Sequence, residues 1–307
     1  QLKWFHQFQF AGYYAAKEKG FYDEVGLNVE IRQRDLKYNN IDEVINGNAQ
    51  YGVADSILIL YRLKQQPVVI VSPIFQHSPS VFISLKKSNI SSVYELNNKD
   101  ILFYPNDTDG FSLLAMIKKF DLDVNLVRER YKDDYMRLIN NEVDVMPAYI
   151  ANEPFLFKEK GYDVNIINPT NYGFDMYGDM LFTNEDEAKN NPIRVEKFKE
   201  ATLKGWKYAL ENKEEIIQLI NEKYSKEKSI EHLRYEANAI DSLINKDVTP
   251  LGYLDQGRIR YISEMYEYYG LTESKIDLND FLFDEISKKD KKLSLSDEEI
   301  KYLKDNP

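Results

Sequence analysis

The residues of this chain that could contact a small molecule cluster just after its strand-like runs. Trp4, His6, Gln9, Phe10 and Tyr13 follow or close the first run. Asp55 and Ser56 follow Tyr51 to Ala54, and Asn106 and Thr108 follow Ile101 to Tyr104. Tyr149, Asn152 and Glu153 come after Val143 to Met146, and Asp175, Tyr177 and Asp179 stand before a later run. In open α/β sheets, ligands bind beyond the carboxyl ends of strands. Aromatic rings there offer stacking faces, and carboxylates and amides offer directional hydrogen bonds. A flat, nitrogen-bearing heterocycle suits that mixture.

Each of these residues also has a plainer use. Trp4 and Phe10 serve equally as core aromatics. Asp55 before Ser56 fits a helix N-cap, and Glu153 before Pro154 fits a helix start, where the dipole favours a carboxylate. Asn106 to Gly110 reads as a turn and cap. His6 shows no nucleophile or orienting carboxylate that would make it a general base. His77 and His232 read as surface or structural, and Lys64 as a solvated helix end.

Several classes of function fall away on composition. The 307 residues include no cysteine, which removes disulfides, thiolate metal sites and cysteine nucleophiles. The three histidines stand at no helical metal-ligand spacing, so no metal site is expected. A net charge of -11 leaves no basic face for nucleic acid and argues against an anionic membrane surface. No apolar run reaches the roughly 18–20 residues that span a bilayer. The chain opens straight into strand-like sequence, so no export signal is expected within it, and that lack does not count against export.

The elements that must position these groups alternate. Leu2 to His6, Leu27 to Ile31, Tyr51 to Ala54 and Val68 to Ile74 read as strands. Helices at Gly12 to Lys19, Asn40 to Ile45 and Ser56 to Leu63 separate them, with stops at Gly20 and Gly47. Val68 to Ile74 has the β-branched, apolar character of a buried parallel strand. A second α/β unit runs from Val81 to Ile167 and ends in a strand at Met180 to Thr183. The rest is helical, with Asp255 as a cap and Gly270 as a stop. This rhythm predicts parallel or mixed sheets with helices on both faces. From Thr272 the chain turns highly charged and reads as a solvated tail or a linker.

The opening stretch Trp4-Phe5-His6-Gln7-Phe8-Gln9-Phe10, continuing through Ala16-Lys17-Glu18-Lys19-Gly20-Phe21-Tyr22 to Gly26-Leu27, resembles periplasmic binding proteins related to the fungal thiamine-pyrimidine synthases. Receptors for pyrimidine thiamine precursors belong to that group, and sulfonate and nitrate receptors are its cousins. Tyr51-Gly52-Val53-Ala54-Asp55, Asn152-Glu153-Pro154-Phe155 and Asp175 to Thr183 agree with it, so the similarity covers roughly residues 1–270. The spelling of the first stretch also resembles extracytoplasmic sensor modules that precede histidine-kinase or diguanylate-cyclase machinery.

The resemblance implies an α/β, type II periplasmic-binding-protein (venus flytrap) fold with a ligand cleft between two lobes. Residues 1–86 and 180–270 would form lobe 1, 87–179 lobe 2, and 271–307 a helical tail toward another module. It implies hinges near Ser80–Leu85 and Asp179–Thr183. Trp4 would stack on the ring and Glu153 accept a hydrogen bond from it. The expected ligand is a hydroxymethylpyrimidine-type thiamine precursor, bound outside the cytoplasm by a module tethered to the inner membrane. The expected partner is a membrane signalling protein; the alternative is a transporter for a pyrimidine, sulfonate or nitrate. The synthases bind pyridoxal phosphate through a lysine and consume a histidine, but Ala54 and Leu58 occupy those places here. Without the amine there is no aldimine, so neither cofactor nor enzyme activity is expected.

Overall fold

A computed structural model describes residues 1–103, 110–128, 134–273 and 275–287. Its strands are β1 (Tyr51–Ala54), β2 (Val68–Pro73), β3 (Ser80–Leu85), β4 (Asp100–Leu102), β5 (Asn125–Val127), β6 (Met146–Tyr149), β7 (Val164–Ile167) and β8 (Met180–Asn184). One sheet has the order β1-β8-β2 and a second the order β6-β3-β7. β4 and β5 pair in parallel, and an isolated bridge from Ile101 to Val145 joins them to the second sheet.

Both larger sheets are antiparallel at every named pairing. The sequence reading makes β2 a parallel strand. β1 and β2 do run in the same sense, but they never touch. β8 returns from the second sheet in the opposite sense and lies between them, and β3 lies in the same way between β6 and β7. β2 is buried along its whole length, as its β-branched run requires. At the centre, Phe182 faces Gly52 on one side and Ile70 on the other. A Cβ on Gly52 would lie 2.5 Å from the Phe182 ring, so only glycine fits there.

Residues 2–6 and 27–31, read as strands, form no regular ladder. They are still held alongside the first sheet. Val53 N–H donates to the Gln1 carbonyl (3.1 Å), Leu2 N–H to Arg32 (2.8 Å) and Arg34 N–H to Trp4 (3.0 Å). Leu27, Val29 and Ile31, alternating in sequence, pack against the core.

The helices are α1 (Ala11–Glu18), α2 (Phe21–Glu24), α3 (Asn40–Ile45), α4 (Ile57–Leu63), α5 (Gly110–Lys119), α6 (Tyr135–Ile139), α7 (Glu153–Glu159), α8 (Glu185–Asn190), α9 (Pro192–Glu211), α10 (Lys213–Leu219), α11 (Ile230–Ile244) and α12 (Gln256–Tyr268). Asp255 caps α12, accepting from Gly257 N–H at 2.7 Å. α1 and α9 approach closely through two glycines. A Cβ on Gly205 would sit 2.2 Å from the Gly12 carbonyl, and one on Gly12 would collide with the Trp206 ring. That closeness lets Trp206 fill the space between the first sheet and its helices, fully buried.

The chain passes between the sheets at 74–79 and 168–179, directly beside the strand residues Ser80–Leu85 and Met180–Thr183. Those links are bonded to each other, Gly178 N–H to Phe75 carbonyl at 3.1 Å and Phe75 N–H to Asp179 carbonyl at 3.0 Å. One further expectation changes: the segment after Thr272 is not wholly a solvated tail. Leu278, Phe281, Leu282, Phe283 and Ile286 are buried. Ile70 N–H donates to the Phe281 carbonyl at 2.8 Å, so this segment covers the open edge of β2. Apolar residues inside a charged stretch account for it: Leu278, the run Phe281-Leu282-Phe283 and Ile286 pack while the flanking Asp277, Asn279 and Asp284 stay exposed. Residues 288–307 lie outside the described ones.

Candidate functional site

The two sheets meet along a seam of polar side chains. Lys3 is its centre, with its side chain 4% exposed. Its ammonium lies 3.0 Å from Asp55 Oδ2 and 3.5 Å from Asp179 Oδ1, and it donates to the Tyr149 hydroxyl. The same ammonium lies 4.9 Å from the centre of the Tyr149 ring. Gln9 Nε2 donates to Asp179 Oδ2 at 2.8 Å. Asp55 and Asp179 flank the first sheet, while Tyr149 ends β6 of the second. One cation is therefore gripped from both sides of the boundary.

A second cluster continues the seam. Gln9 bonds Gln7, and Gln7 accepts from Lys228. Lys228 also pairs with Glu236 and donates to Asn152 Oδ1. His232 Nε2 lies 3.0 Å from Asn152 Oδ1, and its Nδ1 lies 3.2 Å from Glu159 Oε2. Tyr235 donates to the Ile150 carbonyl at 2.9 Å, and Ser229 to Glu159 at 2.6 Å. The start of α11 is thus latched onto the Tyr149–Glu159 segment. Burial, then the Lys228 ammonium, holds His232 below its ordinary pKa despite Glu236 and Glu159. Burial raises the pKa of Glu153, against bonds from Tyr149 N–H (2.6 Å) and Asn152 (2.7 Å).

The seam brings together Gln9, Asp55, Tyr149, Asn152, Glu153 and Asp179 of the residues singled out from sequence. Asp55 Oδ1 accepts from Ile57 N–H at 3.0 Å, one residue before the α4 N-cap Ser56, and its Oδ2 holds Lys3. Ser56 lies beside it but donates to the Tyr177 carbonyl at 2.6 Å.

The other residues are placed elsewhere. Phe10 is buried in the core, and Tyr13 is buried edge-on to Trp206, 5.9 Å between centroids. Burial, then the Asp179 charge, raises the Tyr13 pKa well above its ordinary value, which sets Tyr13 beneath the seam. Tyr177 is buried, its hydroxyl accepts from Asp255 N–H at 2.9 Å, and its ring carries the Arg258 guanidinium. Asp175 pairs with His77 at 2.9 Å and Arg258 at 3.2 Å beside the links. His6 bonds the Tyr14 hydroxyl at 2.9 Å and packs near Tyr224. Trp4 is half-buried, edge-on to Phe5 at 5.3 Å and partly against the core. Asn106 and Thr108 lie outside the described residues.

Sequence reasoning missed Lys3, Lys228, Glu236 and Glu159; of its two readings of His232, surface or structural, burial in the seam fits the structural one. His232 and Glu236, four residues apart, share one face of α11, and Lys228 stands just before its N-cap Ser229; that spacing was the available signal. A cavity of about 530 Å³ opens elsewhere, between residues 27–32 and 48–53. Lys3, Asp55, Tyr149 and Asp179 do not line it, and its walls are largely extended backbone segments at the sheet's side.

With this geometry in hand, the fold has clear counterparts. The periplasmic aliphatic sulphonate binding protein SsuA from Escherichia coli superposes with a TM-score of 0.66, covering 91% of this chain and 96% of that one at 14% identity. The chain therefore has the periplasmic-binding-protein fold. A family model described as NMT1/THI5 like matches residues 7–216, and the chain belongs to that family. Among curated relatives, a riboflavin-binding protein, RibY, from Chloroflexus aurantiacus is 27% identical over 69% of this chain. The match spans 62% of that relative's length. A formylaminopyrimidine-binding protein from Halalkalibacterium halodurans is 23% identical over 71% of this chain and 68% of its own length. No helix among the described residues is long and apolar enough to cross a membrane.

Proposed function

We propose that this chain binds one small, planar, nitrogen-bearing molecule at the seam between its two sheets, outside the cytoplasm, and does no chemistry on it. The carrying observation is the Lys3, Asp55, Asp179 and Tyr149 cluster, whose members come from opposite sides of one boundary. Side chains that meet across such a boundary can part and close again on a guest, as in hinge-bending binding proteins. The two sheets would be the cores of two lobes, and 74–79 and 168–179 the connections that bend. Carboxylates, amides and a phenol suit a ring bearing amino groups and ring nitrogens. Formylaminopyrimidine, named for one curated relative, is such a ring, and riboflavin, named for the other, is a flat ring system with ring nitrogens and a ring N–H.

A pyrimidine of the hydroxymethylpyrimidine type is the preferred ligand. Its occupancy would pass to a membrane partner, which we take to be a signalling protein; a transporter is the alternative. Calorimetry with hydroxymethylpyrimidine, formylaminopyrimidine, riboflavin and an alkanesulfonate tests the ligand class. Binding of an aminopyrimidine or riboflavin without the sulfonate supports the reading. Heat only with the sulfonate, or with none of the four at millimolar concentration, removes it.

A further inference from the structure

We infer that Glu159 is a positioning residue for ligand retention: with Ser229 and His232 it makes the outer end of a latch between α7 and α11, which sets how tightly a ligand is held without touching it. This rests on the function proposed above. α11 lies on the first sheet, where Leu233, Ala237 and Ile240 join the core, whereas α7 follows directly from β6 of the second. The two helices meet in opposite senses. Ser229 Oγ donates to Glu159 Oε1 at 2.6 Å, and His232 Nδ1 lies 3.2 Å from Glu159 Oε2. Phe155 packs on His232 and Tyr235, at 5.0 and 5.1 Å between ring centroids. Tyr235 then donates to the Ile150 carbonyl at 2.9 Å.

The two ends of this latch differ in leverage. Ile150 N–H donates to the Pro79 carbonyl at 2.8 Å, and Tyr149 stands opposite Ser80 in the second sheet. The inner end therefore sits beside the link 74–79, where Ile150 packs against the cores of both sheets. Glu159 lies at the other end of α7 from Glu153, about 9 Å along the helix axis. A hinge bend moves each point in proportion to its distance from the axis, and that axis runs through both links. Opening therefore parts Ser229 and His232 from Glu159 and barely disturbs Tyr235 on Ile150. The outer contacts belong to the closed arrangement alone, so they raise its population. Apparent affinity scales with that population, whatever the guest. Ser229 also accepts from His232 N–H at 3.0 Å as the cap of α11. Substituting Glu159 thus removes the outer latch and leaves that cap in place.

The experiment uses the full chain with its Glu159→Ala, Glu159→Gln and Tyr235→Phe variants. The probes are hydroxymethylpyrimidine, formylaminopyrimidine and riboflavin, read by calorimetry and by stopped-flow release, with small-angle scattering of the ligand-free chains. Glu159→Ala is expected to bind every probe that the parent binds about ten-fold more weakly, by one common factor, the loss lying in faster release. Its ligand-free form is expected to scatter with a larger radius of gyration. Glu159→Gln keeps an acceptor for Ser229 and should recover most of the affinity. Tyr235→Phe should melt at a lower temperature yet change affinity by less than about two-fold, because its bond lies at the inner end. A factor that differs between probes overturns the inference, since Glu159 then touches the ligand. Unchanged affinity and release in Glu159→Ala overturn it too, as does a Tyr235→Phe variant weakened as much as Glu159→Ala. A parent that binds no probe fails the proposed function itself. The latch is then judged on scattering alone, and an unchanged radius in Glu159→Ala overturns it.

Discussion

Lys3 and Tyr149 stand 146 positions apart in the chain, yet the Lys3 ammonium bonds the Tyr149 hydroxyl and lies 4.9 Å from the centre of its ring. Neither residue's neighbours in sequence foretell the contact. It exists because β6 ends where the chain's first residues pass beside β1.

Tyr149→Phe keeps the ring and removes the hydroxyl. A loss of about 1–2 kcal/mol is expected, the usual cost of deleting one partner of a buried hydrogen bond. Urea unfolding checks it, with an unchanged slope showing that only stability moved. A double-mutant cycle with Lys3→Met should give a coupling of about 0.5–3 kcal/mol, and a coupling of zero would deny the contact.

Lys228→Met should cost more. It leaves the Glu236 carboxylate, 1% exposed, without its ammonium partner. Breaking a buried pair from one side costs about 3–5 kcal/mol. Adding Glu236→Gln should recover part of the loss, because the stranded charge is then gone. Failure to recover any of it in the double variant would assign the effect to lost packing instead.

Acid should loosen the latch. The His232 pKa is lowered from 6.5, so the folded chain favours the neutral ring. A depressed pKa gives stability that is full above the unfolded value and is lost as pH falls through the folded one. Melting temperature should therefore drop as pH is taken downward from about 6.5. His6, also lowered by burial, contributes in the same direction. His232→Gln should flatten the slope over that range, and an unchanged slope would exclude His232 as a source.

Gly205→Ala tests the approach of α1 to α9. The added methyl would meet the Gly12 carbonyl and Ala16, so the helices must separate. Overpacking of this kind costs about 1–3 kcal/mol. Gly270→Ala, at a φ of +69° with only the end of the flexible Lys118 side chain close by, provides a comparison whose penalty is backbone strain without backbone collision.

Leu282→Ala tests whether the segment after Thr272 belongs to the folded unit. Leu282 is 2% exposed and bridges to Ile70. A loss of about 2–5 kcal/mol is expected for a truncated core leucine. A solvated tail would give none.

The strands that are apolar throughout were the most legible part of the chain. β1 and β8 fall where Tyr51 to Ala54 and Met180 to Thr183 predict them, β8 being one residue longer, because such runs can only be buried. Asp255 and Gly270 mark the ends of α12 through local backbone chemistry alone. Strand sense was not legible, because it depends on which strand comes back between β1 and β2. The site was legible by half. Asp55 and Asn152 follow strands and carry their chemistry openly. Lys3 sits within a strand-like run, where one lysine reads as an outward-facing residue. Lys228, His232 and Glu236 carry no mark of a site in sequence, since nothing in α11 or just before it tells that Asn152 and Glu159 lie opposite.

The position of β8 sets an order on synthesis. β1 and β2 leave the ribosome early but have no strand between them until residues 180–184 arrive. By then β3, β6 and β7 have all been made and can already have joined. The half that begins the chain is thus the later to finish. Until it does, two apolar strand edges stand open to a stray neighbour, and a slowing of translation between residues 74 and 180 prolongs that exposure.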